Sequence, residues 1–176
     1  ISAMVGQLYP EGGARRDVVR QAGEHARAEA AAPSSLSRNA TILGRNGNEL
    51  RKGTNGWTCI PHNPGKAETG PLCMNQSWLH FREALKHQRP PADSQVGIAY
   101  MLQGGISASN GDPHSLGPHI GDDWVDGMGA LIMIAVPDPA ILKDLPTSSK
   151  NGGPWVMWAD TPYAHLMLPI QSFPSQ

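Results

Sequence analysis

The sequence predicts an α+β domain built mainly from a curled antiparallel sheet or barrel of about seven short strands, with one covering helix and an N-terminal helical arm. Twenty glycines and 16 prolines among 176 residues, with only 16% charged residues, are typical of a turn-rich globular chain rather than a helical bundle or a disordered tail. Short apolar runs alternate with turn signals, and no strand-helix alternation points to a parallel sheet. We divide the chain into an arm, residues 1–35, and one globular domain, residues 36–176.

The predicted arm contains a helix over residues 11–32, which are rich in Ala, Arg and Glu and lack proline. Its apolar stripe is thin, so the helix is expected to bury little surface. Two interpretations stay open: a solvated or loosely docked arm, and an arm that packs on another subunit of a homo-oligomer. The stripe consists of Val18, Ala22, Ala26 and Ala30.

The first half of the domain predicts a three-stranded meander followed by a helix. Strand-like runs over about residues 40–60 are separated by Asn46-Gly47 and Asn55-Gly56, which are strong hairpin signals. Over residues 74–88 the apolar residues follow helical spacing, which predicts the covering helix. That apolar face consists of Met74, Trp78, Phe81 and Leu85.

The second half predicts four strands around a long polar loop. The loop, about Gly104 to Gly129, is longer than most connections without secondary structure, and such loops are usually functional or mobile. A helical turn is expected at Ala140–Leu145. The predicted strands are Val96–Leu102, Ala130–Val136, Pro154–Trp158 and Ala164–Leu168.

Two cysteines indicate the compartment. A bond between Cys59 and Cys73 would close a 15-residue loop and stabilise the fold by about 3 kcal/mol. A disulfide would imply an oxidising location, periplasmic or extracellular, for an exported protein. The alternatives are free thiols and a zinc site with His62 and His80, whose spacing is not that of a zinc finger.

Charge and hydropathy limit the partners. The net charge is −1 and no basic patch is visible, so no nucleic-acid partner is expected. The longest apolar run has seven residues, far short of a membrane span. Signatures of nucleotide hydrolysis, zincin proteolysis, α/β-hydrolase chemistry and c-type haem attachment are missing.

The long polar loop carries candidate ligands for a divalent metal ion. Imidazole nitrogens with a carboxylate suit a transition metal, and clustered carboxylates suit calcium. The alternative is that short acidic side chains support turns through local hydrogen bonds. The candidates are Asp112, His114, His119, Asp122 and Asp123.

A second cluster lies near the C-terminus. Period two places Tyr163, His165 and Met167 on one face of a strand. If that face lines a cavity, His165 is a candidate general acid or base, Tyr163 a hydrogen-bond donor, and His119 of the loop a third catalytic candidate. The alternative is an ordinary core with a structural histidine.

The same hypothesis predicts an aromatic binding platform for a small molecule. Tryptophan and tyrosine offer flat apolar surfaces with a polar tip, which suits planar or sugar-like ligands. Strand methionines usually fill gaps in a core, and a Cu(I) site of methionine and histidine is the alternative. The ligand-binding candidates are Tyr100, Trp124, Trp155, Trp158 and Met167.

Four segments together resemble a group of small exported bacterial proteins of uncharacterised function. They are GTNGWTC at 53–59, PLCM at 71–74, GGPWVMW at 152–158 and TPYAH at 161–165. The resemblance covers about residues 40–170 and implies export, and it carries no activity to transfer. We therefore expect an exported domain that binds a small ligand or metal ion, with an enzyme using a His/Tyr pocket as one version. A non-catalytic binding module and an oligomeric structural protein are the alternatives.

Overall fold

A computed structural model describes residues 11–62 and 69–170, which form an α+β fold around an eight-stranded mixed sheet. The helices are α1 (Glu11–Glu29), α2 (Ser34–Ser37) and α3 (Gln76–Lys86), with short 3-10 helices at Pro139–Leu142 and Ser149–Asn151. The strands are β1 (Thr41–Leu43), β2 (Glu49–Arg51), β3 (Thr58–Ile60), β4 (Leu72–Met74), β5 (Gly97–Met101), β6 (Ser107–Ser109), β7 (Trp124–Asp126), β8 (Leu131–Ala135), β9 (Trp155–Met157) and β10 (His165–Pro169). The α+β class is confirmed.

The large sheet is open, so the predicted barrel is wrong. Its strand order is β2-β1-β3-β4-β5-β8-β10-β9, which leaves β2 and β9 as edges. The predicted meander is also wrong, because β1 pairs antiparallel with β2 but parallel with β3. The chain between β2 and β3 passes close to β1 at Gly53, where a Cβ atom would lie 2.1 Å from the backbone nitrogen of Thr41. A glycine permits this close crossing.

The main core lies on one face of the sheet. The central strands β5 and β8 alternate buried and half-buried residues, as a sheet covered mainly on one face requires. The covered face packs against α3, where Trp78 and Phe81 are buried as the helical spacing predicts. Here the predicted covering helix is confirmed.

The other face of the sheet carries α1 at one end. Ala28 in the last turn of α1, and Ala31 and Ala32 beyond it, are buried against β1, β3 and β4. An ion pair between Glu29 and Arg51 holds this end in place. The helix is therefore docked at its C-terminal end rather than a free arm, and the homo-oligomer stays a prediction. The stripe itself buries little surface, as expected, because its members are exposed: Val18, Ala22, Ala26 and Ala30.

The predicted disulfide is confirmed. Cys59 and Cys73 are joined directly across the antiparallel β3–β4 pair, and neither side chain is exposed. Residues 63–68 of the connecting loop lie outside the described residues, as do residues 1–10 of the predicted arm and 171–176 of the domain. In the described ranges no helix has the length and apolar character to cross a membrane.

The region predicted as a long loop contains its own two-stranded sheet, and we call residues 104–129 the hairpin segment. Strands β6 and β7 pair antiparallel, with Ser107 opposite Asp126. At its base, the backbone nitrogen of Gly105 donates to the Met128 carbonyl at 2.9 Å. Gly104 has φ +62°, and a Cβ there would lie 2.2 Å from the same carbonyl oxygen, so this turn requires glycine.

Candidate functional site

A cavity of about 660 Å³ lies between the large sheet, α3 and the hairpin segment. Its floor comes from β4, β5, β8, β9 and β10, and it includes four methionines and one histidine. Exposed side chains, among them Lys86 and Leu116, mark its rim. The floor residues are Leu72, Met101, Met133, Met157, His165 and Met167.

One asparagine fixes α3 over this floor. Oδ1 of Asn75, the N-cap residue, accepts hydrogen bonds from the backbone nitrogens of Trp78 and Ile98, each at 3.0 Å. Its Nδ2 donates to the Val96 carbonyl at 3.0 Å. An N-cap side chain normally satisfies one free helix N–H. Here the same side chain also bonds the β5 region, so helix and sheet keep a fixed spacing across the cavity.

The hairpin segment is held to β9 by two indoles. Trp158 donates from Nε1 to the Ser109 carbonyl at 2.9 Å, and Trp155 donates from Nε1 to Oδ1 of Asn110 at 3.0 Å. The backbone nitrogen of Trp158 also donates to the Asn110 carbonyl at 2.7 Å. The amide nitrogen Nδ2 of Asn110 donates to the Asp123 carboxylate and to the Thr147 carbonyl. These buried bonds close the third side of the cavity.

Trp158, which lines the cavity, has a strained backbone. Its φ is +56°, a conformation that bulky side chains rarely adopt and that costs roughly 1–3 kcal/mol. The surrounding hydrogen bonds hold it, including one from Oγ1 of Thr161 to its carbonyl at 2.7 Å. Strain of this kind concentrates at functional sites, which supports the cavity as the candidate site.

His165 is the buried polar group on the floor. Only 2% of the residue is exposed, and its Nδ1 lies 2.9 Å from the Tyr163 carbonyl oxygen. A carbonyl oxygen can only accept, so Nδ1 carries the proton and Nε2 is the unprotonated nitrogen of the neutral ring. Burial lowers the pKa of His165 from its ordinary value of 6.5 to about 4, against a smaller opposing effect of the Tyr163 carbonyl.

Aromatic rings surround the imidazole. The ring centroids of Trp158, Trp78 and Phe81 lie 4.9, 5.4 and 5.6 Å from that of His165, all in edge arrangements. Thr69 also lines the cavity, and among the described residues its buried hydroxyl has no hydrogen-bond partner. The floor of the site is therefore soft and apolar apart from His165, whereas the lining as a whole also includes the charged side chains of Arg82, Glu83 and Lys86.

Of the three catalytic candidates, only His165 lines the cavity. Tyr163 lies in a turn before β10, where its hydroxyl donates to the Arg89 carbonyl at 2.9 Å. His119 is exposed on the hairpin segment, with its Nδ1 3.6 Å from Oδ2 of Asp122. The structure does not bring the three together, and the catalytic assignment stays a prediction.

The ligand-binding candidates separate into two groups. Trp158 and Met167 line the cavity. Trp155 is fully buried in the core, and Tyr100 lies on the opposite face of the sheet, with its ring centroid 5.7 Å from that of Trp57. Trp124 lies in β7 opposite Ser109, outside the cavity lining.

The three acidic metal candidates are used in local hydrogen bonds, whereas the ring of His114 lines the cavity, with its centroid 5.5 Å from that of Tyr163. Asp112 accepts from the backbone nitrogen of His114 at 2.8 Å, and Asp122 accepts from the Ser109 hydroxyl at 2.6 Å. Asp123 accepts from Asn110 at 2.9 Å. Across residues 11–62 and 69–170, no three His, Cys, Asp or Glu side chains group closely enough to hold a metal ion. These contacts match the turn-supporting alternative, and a metal on the hairpin segment stays a prediction.

Sequence reasoning did not assign three further methionines and two helix aromatics to the cavity. Met101, Met133 and Met157 were visible as strand residues, but their shared face depends on pairing between distant strands. The sequence predicted that Trp78 and Phe81 lie on the inner face of a helix. It did not predict the cavity that separates this helix from the floor.

No family model, curated protein or solved structure matches the chain. The function is therefore argued from the cavity and from the chemistry of His165.

Proposed function

We propose that this protein is an exported domain that binds a small ligand in the cavity over the sheet and performs no acid-base chemistry on it. The observation that carries the proposal is the cavity of about 660 Å³, whose floor combines methionines with one buried, neutral histidine. Its volume is within the range of sites for small organic ligands. Methionine side chains adapt their shape to an occupant, and the histidine supplies one directional contact.

The state of His165 favours binding over catalysis. A general acid or base works best with a pKa near the operating pH. With its pKa lowered to about 4, the ring is almost entirely in its neutral form at pH 7, so no imidazolium is present to act as a general acid, and the ring is a weak base. Its Nδ1 faces a backbone carbonyl rather than a carboxylate or a nucleophile. These features suit a fixed acceptor or ligand atom.

The disulfide supports the exported location. Disulfides persist in oxidising compartments and are rare in the cytosol. The Cys59–Cys73 bond is buried within the sheet, so it is part of the fold rather than a surface modification. The resemblance to exported bacterial proteins points the same way.

Cavity occupation can be tested with an apolar fluorescent probe, N-phenyl-1-naphthylamine, and two matched variants. Ala108 lines the cavity on β6, whereas Ala92 is exposed away from it. We expect the wild type and Ala92→Trp to bind the probe with the same affinity. Ala108→Trp places an indole in the cavity and should weaken binding at least about tenfold, since an occupied pocket cannot bury the probe.

Two results would contradict the proposal. The first is no saturable probe binding by the wild type, and the second is equal binding by the Ala108→Trp and Ala92→Trp variants. The pH profile of the His114→Gln variant, which lacks the other histidine of the lining, gives a third check, because a neutral His165 predicts probe affinity that is flat from about pH 5.5 to 8.5. A ligand that is turned over with a bell-shaped pH profile would instead support the enzyme alternative.

A further inference from the structure

We propose that the cavity floor binds one Cu(I) ion through the thioethers of Met133 and Met167 and Nε2 of His165. This inference rests on the proposed function, because it names the occupant of the same cavity. The three residues lie on adjacent strands, β8 and β10, and all three line the cavity.

The strand register places the three side chains within reach of one ion. Met133 lies directly opposite Met167, and His165 lies two residues earlier on the same face of β10. Directly opposite Cβ atoms are about 5 Å apart and diagonal neighbours about 7–8 Å apart. A methionine sulfur and an imidazole Nε2 each extend several ångströms beyond Cβ, which brings the three donors within reach of one trigonal site. Met157 on β9 lies directly opposite His165 and also lines the cavity, so its thioether is a fourth donor within the same reach.

The ligand chemistry selects a soft metal. Thioether sulfur prefers Cu(I), whereas carboxylate and carbonyl oxygens prefer hard cations. Metal-binding histidines almost always donate their second ring nitrogen to a carboxylate, a carbonyl or water, which orients the ring. The Nδ1 of His165 already makes this bond to the Tyr163 carbonyl at 2.9 Å, which leaves Nε2 as the unprotonated nitrogen.

The charge of the site selects a monovalent ion. Met133, Met167 and neutral His165 carry no charge, so a bound Cu(I) would bring a single positive charge into the cavity. Among the described lining residues, Glu83 is the one carboxylate, and it is exposed on the rim with Oε2 3.3 Å from Nε2 of His87. Arg82 and Lys86 add two cations to the lining. A divalent ion at the floor would therefore be disfavoured more strongly than a monovalent one, because it would add the larger positive charge without a carboxylate to balance it.

The competing explanation is that the methionines only fill space. The chain provides a matched control, because Met101 lines the same cavity but lies on β5, which β8 separates from the β10 strand of His165 and Met167. Replacing any of these methionines by leucine keeps an apolar side chain of similar size. Space filling predicts equal behaviour of all three leucine variants, and coordination predicts a difference.

The experiment is an anaerobic titration with Cu(I), supplied as its acetonitrile complex in competition with bathocuproine disulfonate. We expect the wild type to retain one Cu(I) per chain and to show quenched tryptophan fluorescence, since Trp158 lies next to His165. Met133→Leu and Met167→Leu should weaken binding at least about tenfold, while Met101→Leu should stay within about threefold. Zn(II) should not compete.

Retention of no Cu(I) by the wild type would overturn the proposal, as would equal affinity in the three leucine variants. Circular dichroism and probe binding by each variant show that the fold and the cavity persist. If Cu(I) does not bind but the apolar probe does, the copper inference fails and the proposed small-ligand function stands. If Cu(I) binds but the apolar probe does not, the proposed small-ligand function fails and the copper inference stands.

Discussion

Lowering the pH from 7 to 5 is expected to destabilise the fold through His165. Burial lowers the pKa of this residue from 6.5 to about 4 in the folded protein, and unfolding returns it to its ordinary value. Between these two values the unfolded chain binds a proton that the folded protein does not. The stabilisation from neutral His165 is therefore fully present above pH 6.5 and is lost as the pH falls toward 4.

The size of the effect follows from proton linkage. Integrating between the two pKa values gives a loss of about 2 kcal/mol in the free energy of unfolding from pH 7 to pH 5, and about 3 kcal/mol when the change is complete. Domains are typically stable by about 5–15 kcal/mol, so the loss is a large share of the total.

Urea unfolding at the two pH values measures this loss. His165→Gln removes the titrating ring. Between pH 7 and pH 5 its free energy of unfolding should therefore fall by about 2 kcal/mol less than that of the wild type. His119→Gln makes the same substitution where 62% of the side chain is exposed, and it should keep the wild-type response. Equal acid sensitivity of wild type and His165→Gln would refute the reasoning. NMR titration of the His165 ring provides a second check, with an expected pKa of about 4.

Three further predictions concern the elements that hold the cavity in place. Replacing both Cys59 and Cys73 by alanine should lower the free energy of unfolding by about 3 kcal/mol. Because the bond is buried, treating the native protein with dithiothreitol and an alkylating agent should add no alkyl group, as measured by mass spectrometry, and alkylation without denaturant would contradict this. Asn110→Ala removes the acceptor of the buried Trp155 indole N–H and should lower the free energy of unfolding in urea by about 1–3 kcal/mol. An unchanged unfolding midpoint would contradict the role of this bond in holding the hairpin segment against the cavity. Gly70→Ala would place a Cβ 1.8 Å from a backbone oxygen and should lower the melting temperature, whereas Gly111→Ala meets nothing within 4 Å and should not; equal melting temperatures would refute the packing argument.

Local signals in the sequence were sufficient for several elements. The helical spacing of Trp78 and Phe81 predicted the covering helix. Strands β5, β8 and β9 each lie within a predicted apolar run, and β10 extends one residue beyond its run. The pairing of Cys59 with Cys73 followed from the turn-rich loop between them. Each of these signals lies within about 15 consecutive residues, so no long-range information was needed.

The remaining features depend on pairing between distant residues. Strands β6 and β7 are three residues each and are separated by 14 residues, too far for a hairpin signal. The cavity floor requires Met133 to face Met167, 34 residues later, and its third wall requires Asn110 to meet Trp155. Period two correctly placed His165 and Met167 together, but it could not show that the Tyr163 hydroxyl bonds the distant Arg89 carbonyl.

The attachment of the hairpin segment has a consequence for how this scaffold can diversify. Its hydrogen bonds run through backbone atoms of Ser109 and Asn110, the Asn110 amide and two indole nitrogens, whereas the cavity floor consists mainly of methionine side chains. Exchanging floor residues for other apolar side chains leaves those bonds intact. Mutations that alter selectivity can therefore accumulate without opening the enclosure, so a lineage of such proteins could change what it recognises while keeping one architecture.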